Sequence, residues 1–163
     1  MKKTGTIKFN SGFVDITDPC YDKDTWCRLR KELPAGEYKY EVNISDQGVW
    51  GERVTSIRIK RKNWKGSVIN SLVGYIGVDA GLAGFFDNKP DYKETPEHDE
   101  WVDDVCNGFL FKQDGEVYEA HRNNAMRCEG VFSSSGYGDG SYPVYQIRSD
   151  YTGMVVGYKI KFI

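Results

Sequence analysis

Residues 37–60 read EYKYEVNISDQGVWGERVTSIRIK. Tyr38, Tyr40, Val42 and Ile44 alternate one for one with Glu37, Lys39, Glu41 and Asn43; further on, Ile57 and Ile59 alternate with Arg58 and Lys60. A period of two places one set on a buried sheet face and the other in water, where a helix would need a period near 3.6. Gly48 and Gly51, inside the intervening DQGVWGE, let the chain reverse. The stretch predicts a β-hairpin.

The same period recurs outward in both directions. TIKF (6–9) and FVDI (13–16) alternate around Ser11-Gly12 and read as paired or consecutive strands. Residues 143–148 and 154–162 face each other across Ser149-Asp150-Tyr151-Thr152-Gly153, a second hairpin. Residues 73–78, 84–86, 117–120 and 130–133 add short apolar pieces, bringing the expectation to about ten strands. Two short helices are expected. One covers residues 22–31, with Asp22 or Asp24 as N-cap and Pro34-Ala35-Gly36 ending it; the other covers 96–107, with acids in its first turn and Gly108 as the stop. The sum is a mainly β domain, a β-sandwich or partly open barrel, spanning residues 1–163 as one unit.

Composition narrows the function classes. A chain of 163 residues is long enough to bury a core unaided. Its 22 basic and 24 acidic side chains give a net charge of −2, which argues against the broad basic footprint of a duplex-binding protein. A local basic stripe remains, because Arg58, Lys60, Arg61, Lys62 and Lys65 fall close together. No apolar run approaches the ~20 residues of a membrane helix, and Lys2-Lys3 is followed by no apolar segment of the signal-peptide kind. A cytoplasmic protein without membrane contact is the expectation. Cys20, Cys27, Cys106 and Cys128 include no C-x-x-C pair, so free thiols are expected, ahead of a distributed zinc site completed by His98 and His121. No cofactor is expected.

Four motifs carry what chemistry there is. Asp18-Pro19-Cys20-Tyr21 offers a thiol without a recognisable base; its simpler reading is a turn in which Asp18 accepts backbone bonds and Cys20 packs. In GVDAGLAGFFD, Asp79 and Asp87 bracket glycines and could face each other across a hairpin. With Asp139 they would make a three-carboxylate site for a hard cation, or an acid–base pair. Trp50-Gly51-Glu52-Arg53 sets a large ring and an ion pair at a hairpin tip, a composition suited to recognition. SSSGYGDGSYPVY (133–145) has the glycines of a phosphate loop but runs into Pro143 and a strand, not into a helix N-terminus. It reads first as a corner in which Gly136, Gly138 and Gly140 take positive φ and Asp139 caps its own turn. Tyr137, Tyr142, Tyr145 and Tyr151 crowd the same region, as phenols do on binding surfaces.

Taken together, SGFVDITDPCY, WGER, GVDAG with GFFD, and SGYGDGSYPV resemble a family of uncharacterised proteins of bacteriophages and bacteria. In that family a DPCY-like motif opens the domain and a G-x-GDGSYPV-like hairpin closes it. The resemblance implies a β-rich cytoplasmic protein, with a phage accessory role in sequestering or blocking a host component as one natural version. It brings no activity with it. The reading that follows is a non-enzymatic binding protein for a protein or a small, nucleotide-like ligand, using Trp50, Arg53, Asp79, Tyr137, Asp139 and Tyr142. The alternatives are a metal-assisted hydrolase on Asp79, Asp87 and Asp139, and an assembly protein that forms homo-oligomers through its edge strands.

Overall fold

Alternation at residues 37–60 becomes an antiparallel pair in which Tyr40 lies opposite Ile59 and Val42 opposite Ile57. The computed structural model describes residues 1–21, 25–88, 112–120 and 129–163. In chain order these form β1 (Lys2–Phe9), β2 (Phe13–Thr17), β3 (Leu29–Glu32), β4 (Gly36–Asp46), β5 (Glu52–Arg61), β6 (Val68–Val78), β7 (Leu82–Phe86), β8 (Lys112–Asp114), β9 (Val117–Ala120), β10 (Gly130–Ser134), β11 (Gly140–Ser149) and β12 (Val155–Lys161). Two six-stranded antiparallel sheets result, ordered β1-β4-β5-β12-β11-β6 and β3-β2-β7-β10-β9-β8. They stack as a sandwich, not as a closed barrel. The only helical piece among the described residues is one 3-10 turn at Gly48–Trp50. None of their helices is long and apolar enough to cross a membrane.

Both sheets contribute to one core. Tyr38, Tyr40, Val42, Ile57, Ile59, Val144, Tyr158 and Ile160 come from the first sheet, and Val14, Ile16, Phe85, Val117 and Val131 from the second. Each buried aliphatic side chain of this kind contributes about 1.5–3 kcal/mol relative to an exposed one. The second sheet is buried on its other face too, where Phe86, Ala120 and Phe132 form a separate cluster with Tyr118 stacked on Phe132.

One expectation narrows and one changes. TIKF and FVDI are consecutive but not paired: β1 joins β4, and β2 joins β3 and β7 in the other sheet. The expected helix at residues 22–31 is not formed in its described part. Trp26 and Cys27 sit in a turn, and Leu29–Glu32 pairs with Phe13–Ile16 as β3. A buried ion pair holds the turn there: Arg28 Nε and Nη2 donate to the two carboxylate oxygens of Asp15 at 3.2 and 2.5 Å. That bidentate contact and the β2 ladder outweigh a charge pattern suited to a helix. The helix expected at residues 96–107 lies outside the described residues, as do Cys106, Cys128, His98 and His121.

The apolar piece at 73–78 is the end of an eleven-residue strand, β6. A bulge leaves Val73 without an opposite residue on β11, since Val144 faces Gly74 and Tyr145 faces Leu72. The bulge breaks the alternation, which hid the strand's length. Gly77 then allows the Cys27 turn to close over β6: a Cβ there would lie 2.8 Å from the Cys27 sulfur. Gly77 N–H donates to the Cys27 carbonyl at 2.9 Å, tying the two sheets at that edge.

Tyrosines strut the sandwich from inside. Tyr158 on β12 donates its hydroxyl to the Glu32 carbonyl on β3 at 2.7 Å and accepts from Gln146 Nε2 at 3.1 Å. Tyr40 on β4 donates to the Glu119 carboxylate on β9 at 2.6 Å. The Tyr158–Glu32 and Tyr40–Glu119 bonds join one sheet to the other, and burial pushes the Tyr158 hydroxyl pKa up. Tyr158→Phe therefore leaves the Glu32 carbonyl without this donor and Gln146 Nε2 without this acceptor. It is expected to cost about 1–3 kcal/mol in chemical denaturation, whereas Tyr145→Phe, half-buried on the outer face, is expected to stay within ~0.5 kcal/mol.

Candidate functional site

Asp18, at the end of β2, is fully buried. Its Oδ1 accepts from Cys20 N–H at 2.8 Å, and its Oδ2 accepts from the N–H groups of Asp79 and Ala80 at 2.9 and 2.7 Å. Burial pushes the Asp18 carboxyl above the usual carboxylate range; the three amide donors pull the other way without cancelling it. DPCY is thus a turn, with Tyr21 N–H donating to the Asp18 carbonyl at 3.2 Å and the Cys20 thiol packed against the outer cluster. The same carboxylate also seizes the β6–β7 connection, which carries the chain from one sheet to the other.

That connection sets the next layer. Just after Asp79 and Ala80, the Gly81 carbonyl accepts from Ser135 N–H at 3.0 Å, so the β10–β11 loop is hung from the clamped turn. Within the loop, Ser135 Oγ donates to the Gly138 carbonyl at 2.7 Å and Gly138 N–H donates back to Ser135 at 3.0 Å. Tyr142 donates to the Gly138 carbonyl at 2.6 Å, and its ring meets Phe162 edge to face. Gly136 and Gly138 take φ of 61° and 112°, conformations that favour glycine. Asp139 does not cap this turn: its exposed side chain makes no hydrogen bond among the described residues, and Ser135 and Tyr142 hold the loop instead.

Around the loop lies a groove of about 230 Å³ lined by Glu52, Arg53, Gly81, Glu116, Ser134 and Tyr137, among others. Four connections meet there: β4–β5, β6–β7, β8–β9 and β10–β11. Tyr137 forms its rim, its ring 6.4 Å from Trp50 in an edge-to-face contact and its hydroxyl donating to Gln47 Oε1 at 3.0 Å. Arg53 Nε donates to the Trp50 carbonyl at 3.0 Å, which orients the guanidinium. The expected Glu52–Arg53 ion pair is not formed. Neighbouring residues on a strand point to opposite faces, and no acid among the described residues pairs with Arg53. Glu116 accepts a hydrogen bond from the Ser134 hydroxyl.

Of the six residues singled out for binding, Arg53 and Tyr137 line this groove, and Trp50 stands beside it through its contact with the Tyr137 ring. Tyr142 stands behind it as a structural support. Asp79 and Asp139 lie just beyond the groove loop, side by side by register, since Val78 pairs with Gly140 and each acid is the next residue outward. Asp87 is elsewhere. It follows the far end of β7, a strand length of about 17 Å away, where its two oxygens accept from the N–H groups of Asn10 and Ser11, each at 2.9 Å. Among the described residues no group of three His, Cys, Asp or Glu side chains is placed to hold a metal ion. Glu116 and Gln47 were missed. The Asp114-Gly115 pair, a hairpin signal, marked where the Glu116 turn would be; nothing in the sequence placed Gln47 near Tyr137, 90 positions away.

A family model described as protein of unknown function (DUF4241) matches residues 7–158. No curated protein and no solved structure matches the chain.

The loop's two features separate by substitution. Gly138→Ala has open space for its Cβ but an unfavourable φ, and is expected to lose more than about 1 kcal/mol in thermal or urea unfolding. Asp139→Asn is expected to stay within ~0.5 kcal/mol, as for an unpartnered surface side chain. A larger loss for Asp139→Asn than for Gly138→Ala would restore the aspartate as the capping group.

Proposed function

We propose that this chain, which belongs to the DUF4241 family, is a non-enzymatic binding protein that takes an amino-acid-sized group of a protein partner into the groove between Arg53 and Tyr137. What carries the reading is that Arg53 and Tyr137, far apart in the sequence, line one concavity, with Trp50 against the Tyr137 ring and no carboxylate among the described residues paired with the guanidinium. A volume near 230 Å³ falls below the range of about 300–1,000 Å³ for sites that enclose drug-sized molecules, so a side chain or short loop fits better than a whole nucleotide. Arg53 would pair with a carboxylate or a carbonyl of the partner, and the Trp50–Tyr137 pair would supply rigid apolar contact. Such aromatic and arginine anchors dominate interface energies. Hydrolysis on a trio of aspartates is the weaker reading, because Asp87 is engaged by backbone amides at the other end of β7.

The test is an amide-shift NMR screen of ¹⁵N-labelled protein against single amino acids and short acidic and aromatic peptides. Hits are expected to move the resonances of Arg53, Gly136, Tyr137 and Gly138, and Tyr137→Ala is expected to weaken them about tenfold or more. Hits that leave those resonances unmoved, or that survive Tyr137→Ala unchanged, would overturn the assignment.

A further inference from the structure

The outer face of the first sheet carries a charge pattern that the groove does not use. Ile57 and Ile59 on β5 and Tyr158 and Ile160 on β12 point into the core, so Arg58, Lys60, Lys159 and Lys161 point out. Lys39 on β4 lies directly opposite Lys60, and Arg58 directly opposite Lys159. Like charges so placed repel and destabilise the sheet, which a purely structural face would avoid. Two acids on β4 share this face: Glu41, held by Arg58 at 3.2 Å and Lys2 at 3.4 Å, and Glu37, held by Lys62 at 3.5 Å. No acid among the described residues pairs with Lys39, Lys60, Lys159 or Lys161. The chain as a whole is acidic, so this concentration is local.

Beside these cations the turn after β5 forms a hollow of about 200 Å³ lined by Lys39, Arg58, Lys60, Arg61, Asn63 and Trp64, without a carboxylate. The indole is fixed there: Trp64 N–H donates to the Arg61 carbonyl at 3.2 Å and Nε1 to the Gly66 carbonyl at 3.1 Å. On the far side Tyr145 lies opposite Lys159 on the same face. We infer that this face binds single-stranded nucleic acid, its phosphates tracking Lys39, Lys60, Arg58 and Lys159 and a base stacking on Trp64. Charge complementarity selects a polyanion, and a held indole next to unpaired cations is what stacked bases require. A sheet face six strands wide does not enter a duplex groove, which admits a helix or a two-stranded ribbon. This face is distinct from the Arg53–Tyr137 groove, so either assignment can fail without the other.

Fluorescence anisotropy with a labelled single-stranded oligothymidine of about 15 nucleotides, in about 50–200 mM salt, tests the inference. With four phosphates neutralised, log K is expected to fall against log salt with a slope of about −3, since each contact contributes about −0.7. The surface double variant Lys60→Gln/Lys159→Gln is expected to make that slope shallower by about 1.4. Trp64→Phe, which keeps a stacking ring, is expected to retain binding, and Trp64→Ala to lose about tenfold with the slope unchanged. Two results would overturn the inference: no binding at about 50 mM salt, or binding that both lysine substitutions leave unchanged. A duplex or heparin that binds equally well, with Trp64→Ala without effect, would show a generic polyanion surface and overturn the nucleic-acid assignment. Displacement by free thymidine monophosphate as efficient, per phosphate, as by the oligonucleotide would assign the hollow to mononucleotides instead.

Discussion

One buried carboxylate fixes how the two sheets of this sandwich are joined at the end that carries the groove. Asp18 has no solvent, and a charge in that position is costly unless hydrogen bonds replace its water. The amides of Cys20, Asp79 and Ala80 do so, and two of those belong to the segment that crosses from β6 to β7. From there the dependence runs outward through Gly81 to Ser135, and from Ser135 to the loop that carries Tyr137. The groove is a consequence of that chain of backbone bonds. No side chain at its rim creates it alone.

The density of phenols, which suggests a binding surface when read along the sequence, has two separate physical uses. Tyr38, Tyr40 and Tyr158 are buried and spend their hydroxyls on carbonyls or carboxylates, two of these bonds reaching across to the other sheet. Tyr142 locks a loop. Tyr137 alone among the tyrosines near the β10–β11 glycine loop lines the groove, and it is more than half exposed. A tyrosine can fill apolar core volume and still satisfy a buried acceptor, which a phenylalanine cannot.

What the sequence made legible follows the range of the forces involved. Strict alternation at residues 37–60 and 143–162 revealed both hairpins, because a period of two is a local signal. The helix expected at 22–31 failed because Arg28 answers to Asp15 and Leu29 to Ile16, partners set by tertiary folding. The length of β6 was masked by the Val73 bulge. At the groove, Trp50 and Arg53 were visible as a hairpin-tip composition and Tyr137 as part of a glycine loop, but their meeting was not, since it rests on sheet order. Asp79, Asp87 and Asp139 shared glycine-rich surroundings in the sequence. That similarity is turn chemistry, and it carried no information about whether the acids lie together.

Hydrogen exchange of the Asp79 and Ala80 amides tests the central role of Asp18 most directly. Both residues are exposed in a surface turn, where amides ordinarily exchange through small local openings. If Asp18 holds the crossover, the two amides will exchange as slowly as those of Ile57 and Ile59 in the core strands, and only through global unfolding. Rapid exchange of both, with Ile57 and Ile59 still protected, would contradict the account and make the carboxylate a passenger in a turn that stands without it.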